Sequence, residues 1–433
     1  MSRRTSADIR NESRFDLLRR VFSHGTVTRA QLATETGLSV ATVNTLVEQL
    51  NSEGILHEAG RISSHGGRPT TTFQVNGARG HLLGVDVAET YIDVELFDLA
   101  FTRVGYSRAE LPPAVQSIED VAAIIGGAVR ELLAAHTAED GTPIDVAGTG
   151  VSLPGQVDPT RGVDVFAPNW GWHELPVMEA LTNALDGPVV VDNPLMALAT
   201  GELWFGVGRR YDDFVAVNLG TGVGCGIVLE RQLLRGNGNS AGEWGHSTLV
   251  WDGRECGCGR HGCVEAYVGV EGIRHTLAEE DPDHDLLQVE HQREFMQNLM
   301  RADVTGDPAA RRTVERTGDY LAAGLGNLIN ILNPEHICVR GWITGYVGGS
   351  LRDRVAERLE SESLPGPLRN VSIEVPDESL GVTLGMAVLA FEGFLERVGL
   401  PSSSTIGANA GAPRARAVGA AAGTRIWSGG RAG

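Results

Sequence analysis

Phe214–Val215–Ala216–Val217–Asn218–Leu219, then the turn Gly220–Thr221–Gly222–Val223–Gly224, then Cys225–Gly226–Ile227–Val228–Leu229, reads as strand, tight turn, strand. The same pattern occurs earlier, where Leu82–Leu83–Gly84–Val85–Asp86–Val87 and Tyr91–Ile92–Asp93–Val94–Glu95–Leu96 flank a short turn. Helical segments follow each unit, at 119–136 and from about Leu195 after the first, and at 312–333 and 382–397 after the second. Further apolar strands fall at 146–151, 188–191, 336–339 and 371–375, while 281–310 is polar and ambiguous. A repeated strand–turn–strand unit with trailing helices predicts two related α/β lobes with a cleft between them.

Upstream of Gly80 the texture differs. Phe15, Leu17, Leu18 and Val21 give a first short helix an apolar face. Thr28 and Gln31 then have the spacing of a capping box, and Gly37 stops the helix they open at about Thr36. Ser39 can cap a third helix whose apolar positions are Val40, Val43, Leu46, Val47 and Leu50. Its other positions include Thr42, Asn44, Thr45 and Gln49, which hydrogen-bond and carry no charge. Short helix, glycine turn, helix with a polar outer face is the helix-turn-helix pattern. Residues 55–57 and 71–75 read as two strands, joined by a loop holding Arg61 and Gly66–Gly67–Arg68–Pro69. Such a wing would carry arginines to phosphates or to the minor groove.

The charge distribution agrees. All 36 basic residues are arginines. Residues 1–80 hold ten of them against seven acids, a net +3, which leaves the other 353 residues at −22 within a chain of −19. A basic head on an acidic body suits a small polyanion-binding module joined to something else, and excludes a protein that coats nucleic acid generally. At 433 residues, two or three domains are expected. Residues 1–15 lack the apolar core of a signal peptide, and no apolar run reaches the ~18 residues of a membrane span. A cytoplasmic protein with no membrane partner is expected. From Leu400 onward Pro, Ser, Gly and Ala dominate, and 400–433 is expected to be a disordered tail.

Three of the five cysteines, Cys256, Cys258 and Cys263, crowd into eight positions, ten residues after His246. Three thiolates and an imidazole suit tetrahedral Zn2+ in a closed, structural site. Gly257, Gly259 and Gly262 let so short a loop wrap an ion. His261 is a rival fourth ligand, and His246 is preferred because it sits in Gly242–Glu243–Trp244–Gly245–His246 beside the expected cleft.

Over about residues 12–397 the chain resembles the ROK family, which groups repressors, uncharacterised reading frames and sugar kinases. The motifs that carry the resemblance are Ala241–Gly242–Glu243–Trp244–Gly245–His246, the cysteine cluster with Gly262–Cys263–Val264–Glu265, Gly220–Thr221–Gly222–Val223–Gly224, and more weakly Asn330–Ile331–Leu332–Asn333–Pro334. It implies an α/β fold class: a winged helix-turn-helix over 1–78, then a two-lobed actin-like, hexokinase-type (ribonuclease H-like) body with a zinc loop over 79–399. It also implies that Asn169, Asn193, Glu243, His246 and Glu265 hold sugar hydroxyls. Carboxylates and amides suit that task, since each hydroxyl both donates and accepts.

The resemblance departs from the family's kinases at three places. The family's proton acceptor, an Asp after Asn, falls on Pro194 in Asn193–Pro194–Leu195–Met196. Proline takes no proton. The first phosphate loop reads Asp86–Val87–Ala88–Glu89–Thr90, with a carboxylate where glycine is usual, and a later Gly–Gly pair reads Arg340–Gly341. The expectation is therefore a sugar-responsive transcriptional regulator, a repressor, and no enzyme. It would bind a palindromic duplex operator as a homodimer or homotetramer, with Ser39, Thr42, Asn44, Thr45 and Gln49 at bases and Arg29, Arg61 and Arg68 at phosphates or the minor groove. The alternative is a sugar kinase with an accessory DNA-binding domain.

Overall fold

The computed structural model describes residues 6–63, 69–112, 117–137, 141–346, 349–375 and 380–397. The expected wing tip with Arg68 and the expected tail lie outside the described residues. The chain divides into two compact units, one formed by the residues up to Arg209 together with the last helix, the other starting at Arg210.

The first unit opens with α1 (Ser6–His24), β1 (Val27–Thr28), α2 (Arg29–Thr36), α3 (Val40–Ser52), β2 (Leu56–Ile62) and β3 (Thr70–Val75). The capping box forms as the sequence predicts. The Gln31 N–H donates to Thr28 Oγ1 at 3.2 Å, and the Thr28 N–H donates to Gln31 Oε1 at 2.8 Å. Gly37 ends α2 in the left-handed region at φ 69°, and Ser39 caps α3 by accepting from the Thr42 N–H at 3.1 Å. Val43, Leu46, Val47 and Leu50 are buried. Val40 is 58% exposed, so the apolar stripe of α3 starts at Val43. The first helix begins some eight residues earlier than the pattern suggested. Two details of the wing also differ. A third strand, β1, pairs with β3, giving the order β1-β3-β2. Arg61 lies in β2, opposite Thr71, and not in the loop, because a bulge at Glu58/Gly60 lets the strand run on to Ile62.

The body of this unit runs β4 (His81–Val87), β5 (Tyr91–Asp98), β6 (Arg103–Glu110), α4 (Ile118–Ala134), β7 (Val146–Ser152), β8 (Gln156–Asp158), β9 (Val163–Ala167), β10 (Trp172–Pro176), α5 (Met178–Ala184), β11 (Val189–Asp192) and α6 (Pro194–Phe205). Its main sheet has the order β6-β5-β4-β7-β11, antiparallel on the β5–β6 side and parallel on the β7–β11 side. Ser117 caps α4, whose Ile118, Val121, Ile125 and Leu132 bury a face spaced at the helical period. The small sheet β8-β9-β10 carries the Pro168–Trp170 turn.

The second unit holds β12 (Phe214–Leu219), β13 (Val223–Leu229), β14 (Gln232–Leu233), α7 (Glu265–Val268), α8 (Val270–Glu280), α9 (Gln292–Thr305), α10 (Pro308–Leu332), β15 (His336–Arg340), α11 (Gly349–Glu362), α12 (Pro365–Leu368) and β16 (Ser372–Glu374). Its sheet order, β14-β13-β12-β15-β16, repeats that of the first unit with the same pattern of directions. The repeated strand–turn–strand motif is thus two copies of one topology. The polar 281–310 segment resolves into a short turn and α9, whose Phe295, Met296 and Leu299 are buried.

The last helix, α13 (Val382–Arg397), belongs to the first unit. Gly84 and Gly150 let it lie directly on β4 and β7. A Cβ at either would sit 1.9 Å from Thr383 O or 2.1 Å from Met386 O.

Candidate metal centre and nucleic-acid face

The cysteine cluster belongs to the second unit. The segment Glu243–His246 forms one short 3-10 turn packed on β13. Gly245 permits that packing, since a Cβ there would meet Val223 O at 1.8 Å. Trp244 is buried and donates its indole N–H to Gly324 O at 3.1 Å, which fixes the turn on α10. The loop 256–263 folds back on itself. The Cys256 N–H donates to Arg260 O at 2.8 Å, and Thr248 bridges Cys263. Gly262, at φ 76°, approaches the Val250 carbonyl so closely that no side chain fits.

One ligand atom from each of His246, Cys256, Cys258 and Cys263 lies within 4.8 Å of all the others. Cys258 Sγ and Cys263 Sγ are 3.8 Å apart, and Cys256 Sγ is 3.6 Å from His246 Nδ1. A tetrahedral zinc with bonds of about 2.3 Å to sulfur and 2.0–2.1 Å to nitrogen requires edges of about 3.8 Å and 3.6 Å for those two pairs. These two edges match, and the donor set fits the ion. Burial pushes the Cys256 thiol well above the ordinary thiol range and raises that of Cys263. His261 is exposed, lies near Gly253 O at 3.3 Å and does not join the group.

Arg254, which the sequence reading missed, anchors this loop. Its Nη1 donates to Ala266 O at 3.2 Å and Gly272 O at 2.9 Å, its Nη2 to Thr276 Oγ1 at 3.0 Å, and its guanidinium lies 4.6 Å from the Tyr267 ring centroid. Its position two residues before Cys256 was the available signal.

The expected hydroxyl-reading residues divide between the units. In the second, Glu265 opens α7. Its Oε2 accepts from the Val223 N–H at 2.9 Å, and its Oε1 is 3.5 Å from Cys256 Sγ. Glu243 and His246 are half-buried on the 3-10 turn. Burial drives the Cys225 thiol up to about 12, and the neighbouring Glu243 charge adds to the shift. In the first unit, Asn193 is buried and caps α6, its Oδ1 accepting from the Leu195 and Met196 N–H groups at 3.1 and 2.9 Å. Asn169 is exposed and donates to Glu89 Oε1 at 2.9 Å.

Pro194 takes the first helical position of α6, where its missing N–H costs nothing. Asp192 is buried and accepts the Asn193 N–H at 2.9 Å. Burial pushes the Asp86 carboxyl up to about 6, with the Asp93 charge adding. In the second unit, Gly220 faces the Trp342 indole. A Cβ there would sit 3.1 Å from Nε1. Arg293 lies over the same ring at 5.1 Å.

On the first unit, Ser39, Thr42 and Thr45 of the α3 face are exposed, and Asn44 and Gln49 are half-buried. Arg61 is exposed on β2. Arg29 is half-buried, with its guanidinium 4.4 Å from the Phe73 ring centroid. Arg14 ties α1 to the end of α3 through Glu53 at 2.7 Å. Among the described residues, no helix is long and apolar enough to cross a membrane.

Comparison with known proteins places these features. The sequence model of the ROK family matches residues 82–392, and that of a winged helix-turn-helix DNA-binding domain matches residues 10–57. The xylose repressor of Bacillus subtilis (strain 168) is 29% identical over 388 residues, 88% of this chain and 95% of that protein. A glucokinase of Thermotoga maritima is 33% identical over 219 residues, 48% of this chain and 69% of that protein. The crystal structure of a ROK family transcriptional regulator, a homologue of the E. coli MLC protein, superposes with a TM-score of 0.73 at 23% identity. It covers 88% of this chain and 96% of its own, and shows the fold.

Proposed function

Because the chain belongs to the ROK family and carries a winged helix-turn-helix ahead of the family body, we propose that it is a sugar-responsive transcriptional repressor that has lost kinase chemistry. One observation carries this reading: a complete helix-turn-helix, capped at Thr28 and Ser39 and presenting Thr42 and Thr45 to solvent, precedes the family body in one polypeptide. The repressor similarity supports it, since it runs through both parts over 88% of the chain.

The DNA-binding module is taken as residues 1–78. Two copies of the chain would set two α3 helices in successive major grooves of a palindromic operator. Ser39, Thr42, Asn44, Thr45 and Gln49 would read base edges, and Arg61 and Arg68 phosphates or the minor groove. Arg29, stacked on Phe73, would reach a phosphate only by leaving that ring. Asn169, Asn193, Glu243, His246 and Glu265 are the hydroxyl-reading set. With Nδ1 of His246 beside Cys256, its other nitrogen is left for a hydroxyl. Zinc held by His246, Cys256, Cys258 and Cys263 would cross-link the Glu243–His246 turn to the loop before α7. That cross-link would keep Glu243 and Glu265 in register.

The loss of kinase chemistry rests on Pro194 in place of a carboxylate, on Glu89 in the first phosphate loop, and on Arg340–Gly341 in place of a later Gly–Gly pair. The glucokinase similarity favours a second reading, a sugar kinase with an accessory DNA-binding domain. A coupled ADP-release assay with a panel of hexoses, pentoses and amino sugars separates the two. The proposal expects no sugar-dependent turnover. Turnover that survives purification and vanishes in Glu243→Ala would establish the kinase.

A further inference from the structure

Helix α6 has a different kind of contact at each end. At its start stands Asn193, with its side-chain oxygen committed to the cap and its amide nitrogen free of that task. At its end, the Leu203 carbonyl accepts from Arg19 Nη2 of α1 at 3.0 Å, a buried hydrogen bond. Beside it, Phe22 of α1 is enclosed by four rings, with centroids 5.5 Å away for Trp204, 6.2 Å for Phe205, 5.4 Å for Phe391 and 5.4 Å for Phe101. Phe101 is held at φ 62°, a backbone conformation that a bulky residue adopts only when its surroundings enforce it. The DNA-binding helices are therefore locked to the body through Arg19 and the Phe22 ring cluster, and α6 supplies two of the rings.

Between its ends, α6 has little freedom except to move as one piece. Every residue from Met196 to Trp204 is buried. At the crossing with α13, Gly385 approaches Ala197 O so closely that a Cβ would lie 1.9 Å away. Trp204 donates to Glu392 Oε1 of α13 at 3.3 Å. A close-packed helix crossing of this kind responds to a push by a small shear of the whole helix, because packed cores do not deform locally. Twelve residues carry that shear about 18 Å.

We propose that α6 transmits ligand contact from Asn193 to the helix-turn-helix, with Phe22 and Arg19 as the residues that receive it. This rests on the regulator reading above. A sugar hydroxyl drawing on the Asn193 amide shifts the capped end of α6, and the other end re-seats α1. Neither Phe22 nor Arg19 touches sugar or DNA in this account. They carry the linkage alone, and removing them uncouples two intact binding events.

The test is the affinity of the full chain for a duplex selected from a random library by the wild-type protein. It is measured without sugar and with saturating D-xylose, D-glucose or N-acetylglucosamine. In the wild type one of these changes the affinity about tenfold or more. Phe22→Leu keeps the affinity for the duplex and for the sugar, and its sugar-driven change falls below about twofold. A Phe22→Leu protein with the full wild-type change overturns the proposal. A wild type indifferent to all three sugars overturns the regulator reading instead. Should Phe22→Leu fail to fold, Arg19→Gln carries the same expectation. An arm without sugar uses amide hydrogen exchange. Asn193→Ala, which removes the cap of α6, speeds exchange over residues 19–24 at the far end. Unchanged exchange there also overturns the proposal.

Discussion

Replacing Gly385 with alanine places a methyl group against the backbone of α6, and the structure sets the size of the penalty. The new Cβ would sit 1.9 Å from Ala197 O, 2.5 Å from its carbonyl carbon and 3.0 Å from its Cα. All three are helix backbone, so no side chain can swing away. Ordinary contact begins near about 3.5 Å, so the two helices must part by roughly 1.5 Å. Overpacking of a tight core costs about 1–3 kcal/mol, and a backbone clash belongs at the upper end. The better helix propensity of alanine returns about 1 kcal/mol. The net is about 2 kcal/mol, or roughly 4–8 °C in the melting of a unit of this size. Thermal unfolding of the full chain followed by circular dichroism reads it. Gly127→Ala in α4 is the control, because nothing lies within 4 Å of its Cβ position. The same change there stabilises by about 0.4–1 kcal/mol. A Gly385→Ala protein that melts with or above the wild type would refute the close crossing, and with it the stiffness argued for α6.

Other outcomes follow from the same geometry. Ser39→Ala removes the cap of α3, costs about 1 kcal/mol in local stability and weakens duplex binding, which exchange of the α3 amides and a gel-shift titration check. Cys258→Ser lowers bound zinc from about one ion per chain to a small fraction, as read by elemental analysis of the purified protein. Equal zinc in the two proteins would remove Cys258 from the ligand set. His336 is buried against the Tyr211 ring, and burial first, then the charges of Arg210 and Arg340, hold its imidazole down to about 3 in spite of Glu374 at 3.5 Å. Its pKa in the unfolded chain is about 6.5. Its contribution to stability is therefore complete above that value and is lost as pH falls from about 6.5 toward 3. His336→Gln should flatten the acid side of the stability profile, and an unchanged slope would place the acid sensitivity elsewhere.

Much of this architecture was legible because local signals and the global pattern agree. The capping box at Thr28 and Gln31, the stop at Gly37 and the cap at Ser39 are all used as the residue types predict. The repeated strand–turn–strand segments became the antiparallel pairs β4–β5 and β12–β13, the hairpins from which each sheet is built. The cluster of His246 and three cysteines came together because glycines at 245 and 262 allow backbone contact no other residue would permit. What escaped notice depends on tertiary partners. β1 has two residues and exists only through β3. β6 alternates weakly, with Arg103, Tyr106, Arg108 and Glu110 exposed to solvent, and is fixed by pairing with β5. Val40 looked like core by spacing, but it stands at the first turn of α3 and is exposed. The roles of Arg254, Phe22 and Trp342 come from distant neighbours, which spacing along the chain does not report.

The central claim is that one polypeptide holds DNA through α3 and releases or tightens that hold when a sugar binds. Fluorescence anisotropy of a labelled, selected duplex, titrated with the full chain at fixed salt with and without a sugar that raises its melting temperature, measures this directly. The account predicts a midpoint that moves about tenfold between the two titrations. Superimposable curves, with the sugar demonstrably bound, would contradict it.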